Sequence, residues 1–325
     1  MDSMKFTNVY VKDSFSVAGP IEADGQIKNY DLTLDDYYYH EKTFEQAEIK
    51  MQRVVVDNLL LRNKILEHDI DFLISGDLSN QIGISSYAAQ YYHIPYLGIY
   101  SACASFAESL IIGARFLEGK GSRKILAVTS SHNLNAEKQF RFPIEYGAPK
   151  PKTTTFTATG CVGTLLSKEV SKVKVEGATI GKVIDLGCTD ATHMGAVMAP
   201  AAAGTLVQHL TDFNRSIDYY DVILTGDLGS VGTDIFREYL KRNYGLKIKN
   251  HIDAATEIYT ENQDVYAGAS GPVALPLVLF NKTLKNTRYK KILTIATGSL
   301  HSPTLVNQKI SIPAIAHAVS LEVQK

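Results

Sequence analysis

Two short apolar segments that lie 150 residues apart end in the same three residues, and this repetition limits the folds open to the chain. Residues 71–78 read Asp-Phe-Leu-Ile-Ser-Gly-Asp-Leu, and residues 221–228 read Asp-Val-Ile-Leu-Thr-Gly-Asp-Leu. A second pair follows in the same order, because residues 124–131 (KILAVTSS) resemble residues 292–299 (ILTIATGS). Two matched pairs in one order indicate a tandem duplication, in which each half builds the same unit.

Helical patterns alternate with these predicted strands. From Thr43 to Leu66 the apolar residues recur at helical spacing, and Thr43 with Gln46 matches a capping box. Further helices are predicted over residues 105–117, 201–213 and 272–284. Helices that alternate with continuous apolar strands are typical of parallel sheets covered on both faces. We therefore predict two α/β halves around a pseudo-twofold axis, with residues 1–177 in the first half and residues 178–325 in the second.

Composition and charge argue against several classes of function for this chain. Lys and Arg total 33 and Asp and Glu total 34, so the overall charge favours neither nucleic acid nor an acidic membrane surface as a general partner. No apolar run approaches the ~18 residues that cross a bilayer, and the N-terminus has no secretory signal pattern. The three cysteines are too scattered for a disulfide framework or a zinc site. We expect a soluble protein of a reducing compartment, with no bound metal.

Cys103 is the most informative candidate for chemistry. A short apolar strand over residues 96–100 leads into small residues and then into a helix predicted to begin near Cys103. A thiol at a helix N-terminus has a lowered pKa and a raised nucleophilicity at neutral pH. The alternative is a small buried cysteine that only packs, and this segment alone does not decide between the two.

The chain resembles the thiolase superfamily, because a strand, an Ala-Cys pair and a helix follow one another in a duplicated α/β sequence. The layout is most similar to that of the ketoacyl synthase III-like condensing enzymes. The turn at residues 158–164 (ATGCVGT) resembles their Gly-rich turn. Within that superfamily the chain resembles the stage V sporulation protein AD family of endospore-forming bacteria. The matching segments are residues 76–81, 129–133, 137–143, 145–147, 198–203, 224–228 and 312–317. The resemblance covers residues 6–322 and implies a thiolase-like, five-layer αβαβα fold.

The chain departs from the condensing enzymes at two positions. Those enzymes place a His after the first strand of the second half, and an Asn or His at the start of the next helix. Here these positions fall at Gly226 or Asp227 and near Ala269. Each lost donor removes stabilisation of a developing negative charge that is commonly ~3 kcal/mol, and a carboxylate at Asp227 opposes that charge. We therefore predict that Cys103 is a vestigial nucleophile and that the protein is not an enzyme.

The family resemblance implies a binder of dipicolinic acid (pyridine-2,6-dicarboxylate) that serves its uptake into the developing spore. It implies no cofactor, apart from calcium that could accompany the ligand. It also implies membrane-embedded partner proteins of the same SpoVA transport system, peripheral attachment at the spore inner membrane, and a homodimer paired through the strand before Cys103. The candidate ligand-binding residues are Cys103, Ser105, His132, Phe140, Arg141, Tyr146, Asp227 and His301.

Each candidate has a chemical reason. The helix end at residues 103–105 offers N–H groups to one carboxylate, and Arg141 can hold the second carboxylate bidentately. Phe140 or Tyr146 can cover the flat ring. His132 and His301 follow matching strand ends and are expected to face each other across the pseudo-twofold axis, where they can donate to the ligand. The related carboxylates Asp77 and Asp227 can flank the ligand if calcium mediates.

Several alternatives remain open at this point. Arg141 can be a surface ion-pair partner, the two histidines can cap strand ends, and Asp77 and Asp227 can accept backbone N–H bonds in their turns. Glu137 and Lys138 are expected to be exposed charges. Two other functions compete with ligand binding, namely an acyl-transfer or condensing enzyme that uses Cys103, and a docking subunit with a vestigial pocket.

Overall fold

The computed structural model describes residues 2–141 and 149–324. The first half of the chain alternates strands and helices in the order β1 (Ser3–Lys5), β2 (Tyr10–Ala18), α1 (Pro20–Ala23), β3 (Leu32–Thr33), α2 (Phe44–Asn63), β4 (Phe72–Gly76), α3 (Gly83–Ala89), β5 (Tyr96–Gly98), α4 (Ser105–Glu118), β6 (Lys124–Ser131), α5 (Asn133–Phe140), β7 (Phe156–Thr157) and β8 (Gly160–Ser167).

The second half follows the same scheme. Its elements are β9 (Val173–Thr179), α6 (Met194–Asp212), β10 (Val222–Thr225), α7 (Gly229–Tyr244), β11 (His251–Asp253), β12 (Ala269–Ser270), α8 (Ala274–Val278), β13 (Lys291–Ser299), α9 (Pro303–Asn307) and β14 (Ala314–Val323). Helix α8 continues without a break into a π-helical segment, Leu279–Thr283. Short 3-10 turns lie at Glu67–Asp69, Asn80–Ile82, Ile217–Tyr219 and Ala254–Thr256.

The strand order makes the duplication visible. One half supplies the order β2-β8-β6-β4-β5, and the other supplies β9-β14-β13-β10-β11, so the repeated segments form the equivalent pairs β4 with β10 and β6 with β13. The two sheets join where β2 meets β9, with Tyr10 opposite Lys174. The predicted boundary between residues 177 and 178 falls inside β9, and the division into two units stays a prediction.

Side chains that alternate along each strand divide the core into separate layers. In β4, Leu73 packs in an outer cluster with Met51 of α2, whereas Ile74 packs in a central cluster with Leu110 of α4. The second half does the same, because Ile223 of β10 faces the outer helices α6 and α7 while its neighbours face the central cluster. Strands buried on both faces need helices on both sides. The layers are therefore helices, sheet, central helices, sheet and helices, and the predicted five-layer αβαβα fold is confirmed.

Most of the predicted helices are present, with one clear error. Thr43 caps α2 by accepting a hydrogen bond from the Gln46 N–H at 3.2 Å, and α4 spans 105–118 against the predicted 105–117. Helix α6 begins seven residues before the predicted position 201. It contains Pro200, which cannot donate a backbone hydrogen bond, yet the buried alanines around it pack α6 tightly enough to hold the helix through that position.

A buried carboxyl group ties the two halves together. Glu22 follows the end of β2 and is fully buried. Its Oε1 accepts hydrogen bonds from the Tyr259 hydroxyl at 2.5 Å and from the Thr159 N–H at 3.1 Å. Burial raises the pKa of Glu22 to about 7, although both hydrogen bonds oppose the rise. Glu22 therefore links segments more than 230 residues apart in the chain while staying largely protonated below neutral pH.

This burial predicts how stability depends on pH. Unfolded Glu22 ionises near pH 4.5 and folded Glu22 near pH 7, so the folded state binds more protons between these values and its stability falls as the pH rises. The loss is about 3 kcal/mol for a shift of this size. We expect Glu22→Gln to flatten this part of the pH profile in urea unfolding, and the exposed Glu261→Gln to leave it unchanged. Equal slopes in wild type and Glu22→Gln would contradict the assignment.

Candidate functional site

The turn that carries Cys103 is compressed between strands of both halves. Ala102 adopts a left-handed backbone conformation with φ of 50°, which is uncommon for a residue with a side chain and costs free energy. A methyl group at Gly298, near the end of β13, would approach the Ser101 carbonyl oxygen to 2.3 Å. The turn therefore holds its shape because the second half leaves no room for it to relax.

Helix α4 begins at Ser105, two residues after the cysteine, which confirms the predicted start of this helix. The Ala104 and Ser105 N–H groups donate to the Ser101 and Ala102 carbonyls, at 3.0 and 3.2 Å. These N–H groups are thus already used by the turn. The sequence predicted that they would face an anionic ligand, and the structure does not place them there.

The predicted fall in the pKa of Cys103 is also wrong. Burial raises the pKa of the Cys103 thiol well above its ordinary value, and the Asp227 carboxyl adds to the rise. The N–H groups of Gly271 and of Cys103 itself lower this pKa, but they do not outweigh the other two effects. Cys103 is therefore a protonated thiol at neutral pH, and a weak nucleophile.

Asp227 is fully buried, follows the end of β10 by two residues and lies near the Gly271 N–H. Neither of its carboxyl oxygens has a hydrogen bond of good geometry from any described group. Burial, followed by the charge of Asp253, raises the pKa of Asp227 well above its ordinary value, and the Gly271 N–H only partly offsets this. Asp253 instead collects four hydrogen bonds, from Thr225, Leu228, Gly229 and Ala255.

A pocket opens beside Cys103 at the ends of the parallel strands. Four of its lining side chains, Cys103, Phe140, Arg141 and His301, are residues that the sequence predicted as ligand-binding. The rings of Phe140 and His301 stack, with centroids 5.3 Å apart and an angle of 28°. The remaining lining residues are Leu78, Ala102, Ala136, Glu137, Thr155, Thr157, Met194, Met198, Ser270 and Ser299.

The polar groups of the pocket are incompletely paired. With the described residues, Arg141 makes one long ion-pair contact, from its Nε to Glu137 Oε1 at 3.4 Å. Glu137 also binds Lys150 at 2.9 Å. In the described part of the chain, Ser299 Oγ and His301 Nδ1 are buried and have no hydrogen-bond partner. Burial, and then the Arg141 charge, lower the pKa of His301, so the imidazole is neutral beside a cation at pH 7.

The other predicted residues lie elsewhere. Ser105 is buried, and its hydroxyl donates to the Ala102 carbonyl at 2.8 Å. His132 does not face His301, because its Nε2 contacts the Tyr37 carbonyl at 2.8 Å and its ring stacks on Phe44. Tyr146 lies outside the described residues.

Asp77 is the counterpart of Asp227 in the first half, but its carboxylate is hydrogen-bonded to nearby backbone N–H groups. Its two carboxyl oxygens accept hydrogen bonds from the Ser79 and Ser85 N–H groups, at 2.7 and 2.8 Å. This matches the simpler alternative for Asp77. The duplication therefore preserves the Gly-Asp-Leu sequence but not the environment of the carboxylate.

Several pocket residues were not predicted. Glu137 was expected to be exposed, but its side chain is 16% exposed and lines the pocket. Thr157 and Ser270 come from β7 and β12, which form a separate two-stranded parallel sheet that joins the halves at the pocket. Strands of two residues carry too little periodicity to be predicted. Met194 and Met198 belong to the first turns of α6, the part of that helix that the sequence analysis missed.

Several solved structures share this architecture. A variant of OleA from Xanthomonas campestris matches with a TM-score of 0.64 and 13% identity over 98% of this chain and 99% of that chain. The tetronic acid condensing enzyme AbyA1 matches with a TM-score of 0.60 and 13% identity, over 97% and 99% of the two chains. The 3-oxoacyl-[acyl-carrier-protein] synthase III of Aquifex aeolicus matches with a TM-score of 0.55 and 12% identity, over 98% of each chain. The chain is therefore a thiolase-like protein of the ketoacyl synthase III type in fold, and identities this low establish the fold alone.

Sequence similarity assigns the chain to one family within this fold. A model of the family described as "Stage V sporulation protein AD (SpoVAD)" matches residues 2–322. The stage V sporulation protein AD of Bacillus subtilis (strain 168) is 40% identical over 319 residues, which is 97% of this chain and 94% of that protein. The chain belongs to the stage V sporulation protein AD family. Among the described residues, no helix combines the length and the apolar character needed to cross a membrane.

The environment of Cys103 predicts slow thiol chemistry. Compared with the urea-unfolded chain at pH 8, we expect iodoacetamide to alkylate Cys103 at least ~tenfold more slowly, as measured by peptide mass spectrometry. Asp227→Asn should speed the reaction, because it removes a carboxyl group that raises the thiol pKa. The exposed Asp234→Asn provides the matched control and should have no effect. Rapid alkylation of folded wild-type Cys103 would contradict this account.

Proposed function

We propose that the chain binds dipicolinic acid, free or with calcium, in the pocket beside Cys103, and that it does so without catalysing a reaction. In this proposal the bound ligand is destined for the developing spore. The observation that carries it is a set of groups in one pocket that lack full partners among residues 2–141 and 149–324: a loosely paired Arg141, and the buried Ser299 Oγ and His301 Nδ1. Buried polar atoms without partners are costly, and a ligand that bonds to them removes that cost.

The chemistry of the pocket suits a flat dianion. A guanidinium can bind a carboxylate through two parallel hydrogen bonds. The 3.4 Å contact between Arg141 and Glu137 is long, so a ligand carboxylate that forms two such bonds would bind Arg141 more strongly than Glu137 does. The stacked rings of Phe140 and His301 offer an aromatic surface to a pyridine ring. The hydroxyl groups of Thr157, Ser270 and Ser299 line the same pocket and can donate to the second carboxylate.

The surroundings of Cys103 support binding without catalysis. A condensing enzyme needs a reactive thiolate and donors aimed at the developing negative charge. Here the pKa of the thiol is raised by burial and then by Asp227, and Ala269 stands where the resemblance places the second helper. Asp227 itself has no hydrogen-bond partner of good geometry in the described chain, so no base or acid relay leads from it to the sulfur.

An acyl-transfer or condensing enzyme is the second candidate, because the similar AbyA1 is named a condensing enzyme, another similar structure is a 3-oxoacyl-[acyl-carrier-protein] synthase III, and the cysteine stands at the turn before α4. The two proposals differ in the mass of the protein after incubation with an acyl-CoA. A binder keeps the mass of the unmodified chain, whereas an enzyme of this type acquires an acyl group on Cys103. Adduct formation that Cys103→Ala abolishes would favour the enzyme.

The proposed binding predicts a selective loss on substitution of Arg141. By titration calorimetry with dipicolinate, with and without calcium, we expect wild type to bind saturably and Arg141→Gln to bind ~10- to 100-fold more weakly. Lys138→Gln is the matched control, since Lys138 lies on α5 just before Arg141 but is 47% exposed and pairs with Glu45. Flat titrations of wild type under both conditions would contradict the proposal.

We also propose that two copies pair through β5, and that the dimer associates with membrane-embedded partners of the spore transport system at the inner membrane. In the part of the chain that the structure describes, β5 is an edge strand that pairs only with β4. The neighbouring helix α3 exposes Tyr87 by 62% and is followed by Tyr91, which is 53% exposed. Edge strands with exposed apolar neighbours favour association with another chain.

Sedimentation at micromolar concentration should therefore give twice the 35.7 kDa mass of one chain. Tyr87→Arg should raise the fraction of single chains, because it places a charge beside the proposed interface. Leu61→Arg is the control on the outer face of α2, where Leu61 is 77% exposed. A single-chain mass for wild type would exclude the dimer.

A further inference from the structure

The end of the molecule opposite the pocket gathers basic residues from three distant parts of the chain. Residues 119–124, 168–174 and 285–291 contain ten Lys and Arg residues and one acidic residue, Glu169. The chain as a whole has 33 basic and 34 acidic residues. The overall balance therefore hides a strong local excess, which we call the basic face.

The strand registers bring these segments side by side. Across the joined sheets, Lys291 lies opposite Glu322, and Glu322 lies opposite Lys174. Lys174 in turn lies opposite Tyr10, which faces Ser167, and Ser167 faces Lys124. One row across six strands thus aligns lysines of both halves. The three segments extend from this row at the end where β4, β6, β10 and β13 begin, whereas Cys103 and His301 follow the opposite ends of strands.

Two acidic residues that border the basic face accept hydrogen bonds from backbone N–H groups. Asp71 accepts the Arg123 and Lys124 N–H groups, at 2.6 and 2.9 Å, and Asp221 accepts the Lys290 and Lys291 N–H groups, at 2.6 and 2.8 Å. Their carboxylates are therefore held against the backbone.

Ion pairs engage three more of these acids, and Asp69 lies near Arg123 and Lys124. Glu169 pairs with Lys12 and Lys124, each at 3.1 Å, and Glu176 and Glu322 both pair with Lys291 at 2.8 Å. Glu118 is held by Thr7. In the described structure Arg123, Lys172 and Lys290 have no ion pair of their own, and all three are exposed. Their charges remain free to act on a partner.

We propose that the basic face binds the surface of a bilayer that contains anionic lipids. Eight of its ten basic residues are lysines, whose compact charges suit a diffuse layer of phosphate groups better than the planar, bidentate recognition typical of arginine. The charges are spread over both halves instead of lining a cleft. At the centre, Val170 is 73% exposed between Lys168 and Lys172, as expected for an apolar side chain that enters the headgroup layer. In this orientation the pocket faces away from the membrane.

The test is co-sedimentation of the full chain with vesicles rich in phosphatidylglycerol and with vesicles of pure phosphatidylcholine. We expect binding to the anionic vesicles only, and loss of binding as salt is raised, because salt screens surface charges beyond ~10 Å. The triple variant Arg123→Glu, Lys172→Glu, Lys290→Glu should weaken binding more than ~tenfold, since each charge near an anionic surface contributes to affinity. Thermal unfolding and calorimetry with dipicolinate establish that this variant is folded, so failure here is distinguishable from failure of ligand binding.

The matched control reverses three exposed lysines near the pocket end of the molecule, Lys42→Glu, Lys152→Glu and Lys309→Glu, with the same change in net charge. This control should retain most of the vesicle binding. Equal losses in both triple variants, or no binding of wild type to anionic vesicles at low salt, would overturn the proposal. Binding to duplex DNA without binding to vesicles would also overturn it and would assign the face to nucleic acid.

Discussion

The site depends on close backbone contact between the turn at Cys103 and the strand ends around it. A methyl group added at Gly76 would approach the Ile99 carbonyl oxygen to 2.8 Å, and one at Gly298 would approach the Ser101 carbonyl oxygen to 2.3 Å. At Gly271, where φ is 103°, it would meet Ser131 Oγ at 2.6 Å. Gly76 and Gly298 let strands of both halves pack directly on one turn, which fixes the left-handed Ala102 and the direction of the thiol. The pocket is thus a product of the duplication, because neither half alone encloses it.

The same compression accounts for the electrostatics of the site. Groups at the strand ends lose contact with water, so the pKa of Cys103 and the pKa of Asp227 both rise mainly through burial. Asp253, one strand away, is also buried, but its four hydrogen bonds limit the rise in its pKa to about 6. Acids of similar burial therefore behave differently according to the donors around them.

The sequence was informative where periodic patterns repeat and misleading where the outcome depends on packing. The repeated Gly-Asp-Leu segments predicted the paired halves, because such apolar strands must be covered on both faces. The Cys103 segment predicted a low pKa because the helix was expected to begin near Cys103. In the structure the first N–H groups close the turn, and a carboxyl group distant in sequence lies nearby. The exposure of Glu137 was predicted wrongly because the packing of neighbouring elements decides which face of a short helix is exposed.

The basic face was not predicted from the sequence. The net charge is a sum over the whole chain, and the three basic segments are brought together only by the strand registers.

The central claim is that the pocket recognises a flat dianion through Arg141 and the stacked Phe140 and His301 rings, with the thiol unreacted. A crystal structure of the protein soaked with dipicolinate tests it most directly. The account predicts planar density that contacts the Arg141 guanidinium and lies against the stacked rings, with no bond to Cys103 Sγ. Density in another location, or a covalent link to the sulfur, would contradict it.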